Sequence, residues 1–156
     1  MRHDRIRAFY EENRQGLYTY ALSLTGRSAA AEDAVHTVIC KLLQRLVLPR
    51  SLKPYAYRCV RNAVVDDWRK DESRQESILD LEHLAAHDAA INHYSDIENM
   101  LSLVGHEERE VIILKAIDGL TFQEIANVCR TSINTVASRY RRGLEKLKGM
   151  LQEELQ

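Results

Sequence analysis

Between Arg130 and Arg142 the sequence RTSINTVASRYRR gathers hydroxyl, amide and guanidinium groups: Arg130, Ser132, Asn134, Thr135, Ser138, Arg139, Arg141 and Arg142. None of them forms a nucleophile–base pair. Their chemistry is hydrogen-bond donation. An arginine can meet both acceptors of a guanine edge, while hydroxyls and the backbone N–H groups at a helix start hold phosphates. Elsewhere no nucleophile–base pair, glycine-rich phosphate loop or metal-ligand cluster is present, which argues against an enzyme. His83 and His87 stand at i,i+4 spacing, the spacing of two metal ligands on one helical face. No carboxylate-plus-cysteine pattern accompanies them, so neither metal nor cofactor is expected.

Those recognition groups need an element to carry them, and the flanking residues supply it. At Leu120–Ile125, Thr121 can cap a helix and Glu124 can reach back to the Thr121 N–H. Leu120 and Ile125 stand at the two ends of a hydrophobic staple. Ile125, Ala126 and Val128 give a short apolar side, and Cys129-Arg130-Thr131 interrupts it. Ser132 is then a good N-cap. Beyond it Ile133, Val136, Tyr140, Leu144, Leu147 and Leu151 recur at three- and four-residue steps, predicting one buried stripe on a long helix. A capped short helix, a three-residue turn and a polar, arginine-bearing second helix describe a helix-turn-helix, whose second helix enters a DNA major groove.

The net charge of −1 conceals an uneven distribution. Residues 41–70 hold eight Lys or Arg against two Asp, and residues 130–148 hold six against one Glu. Between them, residues 71–110 hold eleven Asp or Glu against two Arg. Two basic islands flank an acidic connector, and phosphate attraction depends on such local patches rather than on the total. The 156 residues suit one ordinary domain or two very small ones. Strand-type alternation is missing and Ala, Leu, Glu and Arg abound, so the expected fold is all-α: two small helical domains, 1–70 and 94–156, joined by an acidic linker, 71–93. Neither a membrane span of roughly 20 apolar residues nor a signal-peptide core is visible. Cys40, Cys59 and Cys129 fall inside helical patterns and read as reduced cytosolic thiols.

In the N-terminal half a first helix is predicted over about Asp4 to Leu24, ended by Gly26. A second is predicted from a Ser28 cap to about Leu46, packed by Ala34, Val35, Val38, Ile39, Leu42 and Leu46. Glu32 and Asp33 suit the dipole of its first turn. The third begins near Pro54 and runs to about Lys70, with Tyr57, Val60, Ala63, Val64 and Trp68 inward and Arg58, Arg61, Asn62, Asp66 and Arg69 pointing elsewhere. In the C-terminal half Tyr94, Ile97, Leu101 and Val104 open the second domain. A helix over Glu107 to Ile117 places Val111, Leu114 and Ile117 toward its core.

The whole chain resembles a bacterial RNA polymerase sigma factor of the small extracytoplasmic-function type. Ala31–Arg45 (AEDAVHTVICKLLQR) is similar to that family's polymerase-binding helix, and Tyr55–Lys70 (YAYRCVRNAVVDDWRK) to its promoter-melting helix. The stretches EEREVIILKAIDGLTFQEIANV and SINTVASRYRRGLEKL match its C-terminal half. The resemblance implies that Asp33, His36, Ile39 and Lys41 dock on the clamp helices of the largest polymerase subunit. It further implies that Arg61 and Asn62, the loop Leu48–Lys53 with its Arg50 and Lys53, and Arg58 and Arg69 handle the melted minus-ten element. A flipped base is held by stacking and edge hydrogen bonds, and Asn offers both a donor and an acceptor. Ser132, Asn134, Thr135, Ser138, Arg139, Arg141 and Arg142, with Arg130, would read or grip the minus-thirty-five element. The implied partners are core RNA polymerase, promoter DNA and an anti-sigma factor, in the cytoplasm and without membrane insertion.

The chain departs from the family pattern at several points. His36 stands where Gln is usual, and the loop 47–53 is short and carries no aromatic residue. Ala137 occupies a position that is often basic. Arg130 takes one that is often Gly, at about 1 kcal/mol of strain if that site needs positive φ. Two other readings fit the residues: a helix-turn-helix regulator acting without polymerase, its N-terminal half serving dimerisation, and a polymerase-binding protein unable to melt promoters.

Overall fold

The structure is a computed structural model, and it describes residues 1–71, 99 and 101–155, the last five of the first stretch as backbone only. Of the expected linker 71–93, Asp71 ends the third helix, while 72–93 with its histidines, and Tyr94 and Ile97, lie outside the described residues. Contacts divide the chain into two compact units, Met1–Ala86 and His87–Gln156. Every described regular element is helical.

The first unit packs α1 (Arg2–Thr25), α2 (Ser28–Gln44) and α3 (Leu52–Asp71) around one core. Leu17, Tyr20, Val38, Leu42, Ala56 and Val60 are buried, and the Tyr20 and Tyr57 rings meet with centroids 5.5 Å apart. Gly26 ends α1 in the left-handed region at φ 69°, its N–H donating to the Leu22 carbonyl at 2.8 Å. The absence of Cβ removes the steric penalty there. Two expectations need correction. Ser28 is the first helical residue of α2 rather than its cap, because Arg27 is the extended residue before the helix and its carbonyl accepts the Ala31 N–H at 3.0 Å. Leu46 is not a core residue: α2 stops at Gln44, Arg45 is extended, and Leu46 is 91% exposed.

In the second unit Leu101 and Val104 are buried, and the Arg109 guanidinium donates to both of their carbonyls, at 3.0 and 3.3 Å. Helix α4 (His106–Ile112) runs into a π turn, Ile113–Ile117. Helices α5 (Phe122–Cys129) and α6 (Ile133–Glu154) follow. Val111 and Leu114 are buried as expected, but Ile117 is 43% exposed. The wider π turn puts more residues into each turn, so the three- and four-residue phase slips. Ile112 and Ile113 face inward instead. The α6 stripe is corrected as well. Of its six apolar positions only Val136 is buried, while Ile133, Leu144 and Leu151 are each at least 40% exposed. For Leu151 the reason is length. With 22 residues α6 spans about 33 Å, whereas α4 and α5, with 7 and 8, reach only about a third of that. Where α4 crosses α6 the helices touch closely: a Cβ on Gly143 would lie 2.6 Å from Ile112 Cδ1.

Candidate nucleic-acid interface

Local capping sets the geometry of the second unit's polar face. The Thr121 N–H donates to Glu124 Oε1 at 2.9 Å, and the Glu124 N–H donates to Thr121 Oγ1 at 3.1 Å. This reciprocal box fixes the start of α5. Phe122 then meets Tyr140 of α6 edge-on, with centroids 5.5 Å apart, and Lys115 lies over its ring. The turn closes through Arg130, at φ 55° and ψ 48°, the one non-glycine residue with positive φ among those described. The strain attached to an Arg at this position therefore applies, about 1 kcal/mol or slightly more. Ser132 caps α6 by accepting the Thr135 N–H at 3.1 Å, and its hydroxyl also bonds the Thr135 hydroxyl at 2.8 Å. Both hydroxyls begin in contact with each other.

Along the first three turns of α6, Asn134, Thr135, Ser138, Arg141 and Arg142 line one shallow open groove. Arg130 stands apart from it in the turn, and Arg139 does not line it. Instead Arg139 turns toward α4, 3.3 Å from Glu107, with its side chain 20% exposed. Arg142 lies 3.9 Å from Glu108 and Lys146 binds the same carboxylate at 2.8 Å. The Glu108 side chain is 12% exposed, and the Lys146 hydrogen bond holds its carboxyl below the ordinary value of 4.5 despite the opposing effect of burial. The first turn of α4 thus supplies two counter-charges to the basic helix. Sequence reading missed this contact, because the acids precede their partners by some 30 residues and share no periodicity with them.

In the first unit, Asp33, His36 and Cys40 follow one line of α2, the first two exposed and Cys40 half-buried, with His36 Nε2 3.5 Å from the Cys40 thiol. Ile39 and Lys41 flank that line on opposite margins, since residues two apart on a helix face apart. On α3 Arg58 is exposed, Arg61 and Asn62 are half-buried, and the Arg69 side chain lies outside the described residues. The loop from Arg45 to Ser51 is tied to α1 in a way no motif announced. Arg2 donates to the Arg45 carbonyl at 2.6 Å, and Arg5 to the Pro49 and Arg50 carbonyls at 3.3 and 3.1 Å. Arg50 is exposed and Lys53 half-buried at its far end. From Ala34 to Val65 the chain contains six Lys or Arg and no Asp or Glu. Such a segment attracts polyanions, with Asp33 and Asp66 standing at its two ends.

Among the described residues, no group of His, Cys, Asp and Glu is placed to hold a metal ion, and no helix is long and apolar enough to cross a membrane.

A three-helix unit with a basic edge, followed by a helix-turn-helix unit, defines a two-region transcription-initiation architecture. The profile of sigma-70 region 2 matches residues 9–74 and that of sigma-70 region 4 matches residues 95–147. The chain is 25% identical to the ECF RNA polymerase sigma factor EcfG of Rhodopseudomonas palustris over 146 residues, 86% of this chain and 78% of the relative. It is 28% identical to the ECF RNA polymerase sigma factor SigL of Mycobacterium tuberculosis over 164 aligned positions, 95% of this chain and 89% of that one. Its fold is shared with the sigma factor RpoE of Bartonella quintana, solved with the anti-sigma factor NepR, at TM-score 0.67 and 22% identity over 94% of this chain and 98% of that one. It is also shared with CnrH, solved with the cytosolic domain of CnrY, at TM-score 0.69 and 21% identity over 97% and 90%. The chain belongs to the extracytoplasmic-function sigma factors of RNA polymerase. Sigma factors of this family are non-catalytic initiation factors. With both regions matched in order, neither a lone helix-turn-helix regulator nor a polymerase-binding protein unable to melt promoters is favoured.

Proposed function

We propose a division of labour in which each unit carries one promoter element and α2 carries the polymerase. Residues 1–70 form the polymerase and minus-ten domain, 71–93 the linker and 94–156 the minus-thirty-five domain. Asp33, His36, Ile39 and Lys41 dock on the clamp helices of the largest polymerase subunit. Arg50, Lys53, Arg58, Arg61, Asn62 and Arg69 handle the opened minus-ten element. Asn134, Thr135, Ser138, Arg141 and Arg142 enter the major groove of the minus-thirty-five element. Ser132 caps their helix, and Arg130 and Arg139 approach phosphates from its margin. His36 in place of the usual Gln alters affinity for polymerase without removing the docking line. The protein performs no catalysis of its own and works in the cytoplasm. The related structures solved with anti-sigma factors support a similar inhibitory partner here.

The observation that carries this reading is the alignment of Asn134, Thr135, Ser138, Arg141 and Arg142 along one open groove. Bidentate arginine and amide groups at the start of such a helix are what base-edge readout requires. Asp33→Arg tests the division. It should reduce co-migration with core polymerase at least tenfold, about 1.4 kcal/mol, without altering thermal unfolding. Unchanged co-migration would remove Asp33, and α2 with it, from the docking surface; capping offers no second role, since Arg27 is the N-cap and Asp33 lies beyond the first turn of α2.

A further inference from the structure

We infer that Arg2 and Arg5, at the start of α1, are positioning residues for the minus-ten element: they fix the loop between α2 and α3 without touching DNA themselves. Packing does not set the path of this loop, Arg45 to Ser51. None of its seven residues is buried, and Leu46 and Val47 are 91% and 76% exposed. Segments with so few buried contacts open easily unless polar bonds hold them. Here polar bonds do. Arg2 Nη1 donates to the Arg45 carbonyl at 2.6 Å, and Arg5 Nη2 to the Pro49 and Arg50 carbonyls at 3.3 and 3.1 Å. Arg45 is the C-cap of α2, where a guanidinium is favoured beside the carbonyls of a helix end. Arg45 in turn donates from Nε to the Val47 carbonyl at 3.1 Å and from Nη1 to the Tyr55 hydroxyl of α3 at 3.0 Å. The loop backbone is therefore tied at Arg45, Val47, Pro49 and Arg50.

The clasp has a firm footing. Arg2 and Arg5 are three residues apart and share one face of α1. Ile6 and Phe9, only 2% and 8% exposed, fasten that end of the helix to the core. Arg5 holds the carbonyl of Arg50 itself, one of the cations assigned to the opened strand, and Lys53 follows three residues on. A loop that must become ordered on binding loses affinity and selectivity to that ordering. Arg2 and Arg5 impose the order on folding, before DNA arrives. They act through the loop backbone, so their guanidinium groups face carbonyls rather than phosphates. The inference rests on the minus-ten assignment made above and adds to it two residues remote in sequence that set the geometry of its cations.

The test uses the full chain, alone and assembled with core polymerase. Arg2→Ala combined with Arg5→Ala should speed amide exchange in the loop of the free chain severalfold. On templates unpaired across the minus-ten element, the holoenzyme's preference for the matched over a scrambled strand should fall about fivefold. Core co-migration and binding of a duplex minus-thirty-five fragment should stay within about twofold of the parent. Salt dependence separates positioning from direct contact. Each lost phosphate contact reduces the slope of log K against log salt by about 0.7 on a single strand, whereas a lost positioning bond leaves it unchanged. Arg2→Lys combined with Arg5→Lys keeps a donor at each site and should restore the preference to within about twofold. Undiminished preference or unchanged loop exchange in the alanine variant overturns the inference, as does a lysine variant no better than alanine. A shallower salt slope also overturns it, by making the arginines DNA contacts. Loss of core co-migration overturns it too, by placing them in the polymerase interface or in the stability of the unit. If the parent holoenzyme shows no preference for the matched strand, the minus-ten assignment falls together with the positioning role. A parent that discriminates beside an alanine variant that does so equally removes the positioning role alone.

Discussion

The two basic surfaces differ in where their counter-charges are. In the first unit the positive segment from Ala34 to Val65 contains no acid. In the second unit three of the cations on α6 already meet carboxylates from the first turn of α4: Arg139 with Glu107, and Arg142 and Lys146 with Glu108. A polyanion approaching the first surface gains attraction without displacing an acid of that segment. One approaching the second must exchange an internal ion pair for a phosphate or base contact. That exchange lowers net affinity and raises selectivity, because only a well-placed acceptor repays it. Under the proposed function this difference matches a first surface that grips opened strands and a second that reads duplex sequence.

The largest effect that sharpens this contrast is Arg142→Ala. If Arg142 reads a base it should weaken specific duplex binding by about 1–3 kcal/mol and relax preference at one position. Arg139→Ala should cost less in binding, since its side chain is only 20% exposed and committed to Glu107. Equal losses in a fluorescence-anisotropy titration would erase the distinction between groove and margin. Gly143→Val comes next. With Cβ 2.6 Å from Ile112 Cδ1 and 3.3 Å from Glu108 Cβ, it forces α4 off α6 and should lower stability by about 1–3 kcal/mol in denaturant unfolding. It should also raise non-specific duplex affinity at low salt, since the same crossing holds Glu108 against Arg142 and Lys146.

The helices and their caps were legible because their signals are local. Thr121 with Glu124, Ser132, and Gly26 each act within a few residues, and the apolar spacing of Val38, Leu42, Val60 and Val64 marks a shared core. Asn134, Thr135, Ser138, Arg141 and Arg142 share one groove because they lie on one helix whose register the Ser132 cap fixes. Three kinds of feature were not legible. The π turn changes phase without any residue that requires it, so Ile117 was expected inside. The long stripe of α6 could not reveal that its partners are too short to cover it. The clasp of Arg2 and Arg5 on loop carbonyls joins positions more than 40 residues apart through backbone atoms, which carry no sequence identity.

A smaller effect follows from Glu108. Its folded-state pKa is depressed, chiefly by the Lys146 hydrogen bond. The resulting stability is fully present above the ordinary value of 4.5 and is lost as pH falls below it through the lowered value. Glu108→Gln should therefore destabilise the protein at neutral pH, by less than about 1 kcal/mol because Lys146 is half exposed. The difference from the parent should shrink to nothing in acid. A gap in thermal midpoint that stays constant down through the acid range would contradict the ion-pair account. Non-specific duplex affinity at low salt should rise in the same variant, as Arg142 and Lys146 no longer have an internal acid to leave.

The smallest expected change has the opposite sign. Arg130→Gly relieves the left-handed backbone at φ 55°. Unfolded-chain entropy, about 0.5–1 kcal/mol, offsets most of that relief, leaving a gain of roughly 0.5 kcal/mol or less. DNA affinity should nevertheless fall slightly, since one marginal cation is lost. Stability and binding moving in the same direction would mean that Arg130 has no phosphate contact.

Run-off transcription by core polymerase, with and without the full chain, tests the central claim most directly. The templates carry a selected promoter whose minus-ten and minus-thirty-five elements are scrambled separately. The account predicts promoter-dependent product only when the chain is added, with a loss on scrambling either element. Product no greater than from core polymerase alone, or indifference to both scrambled elements, would contradict it.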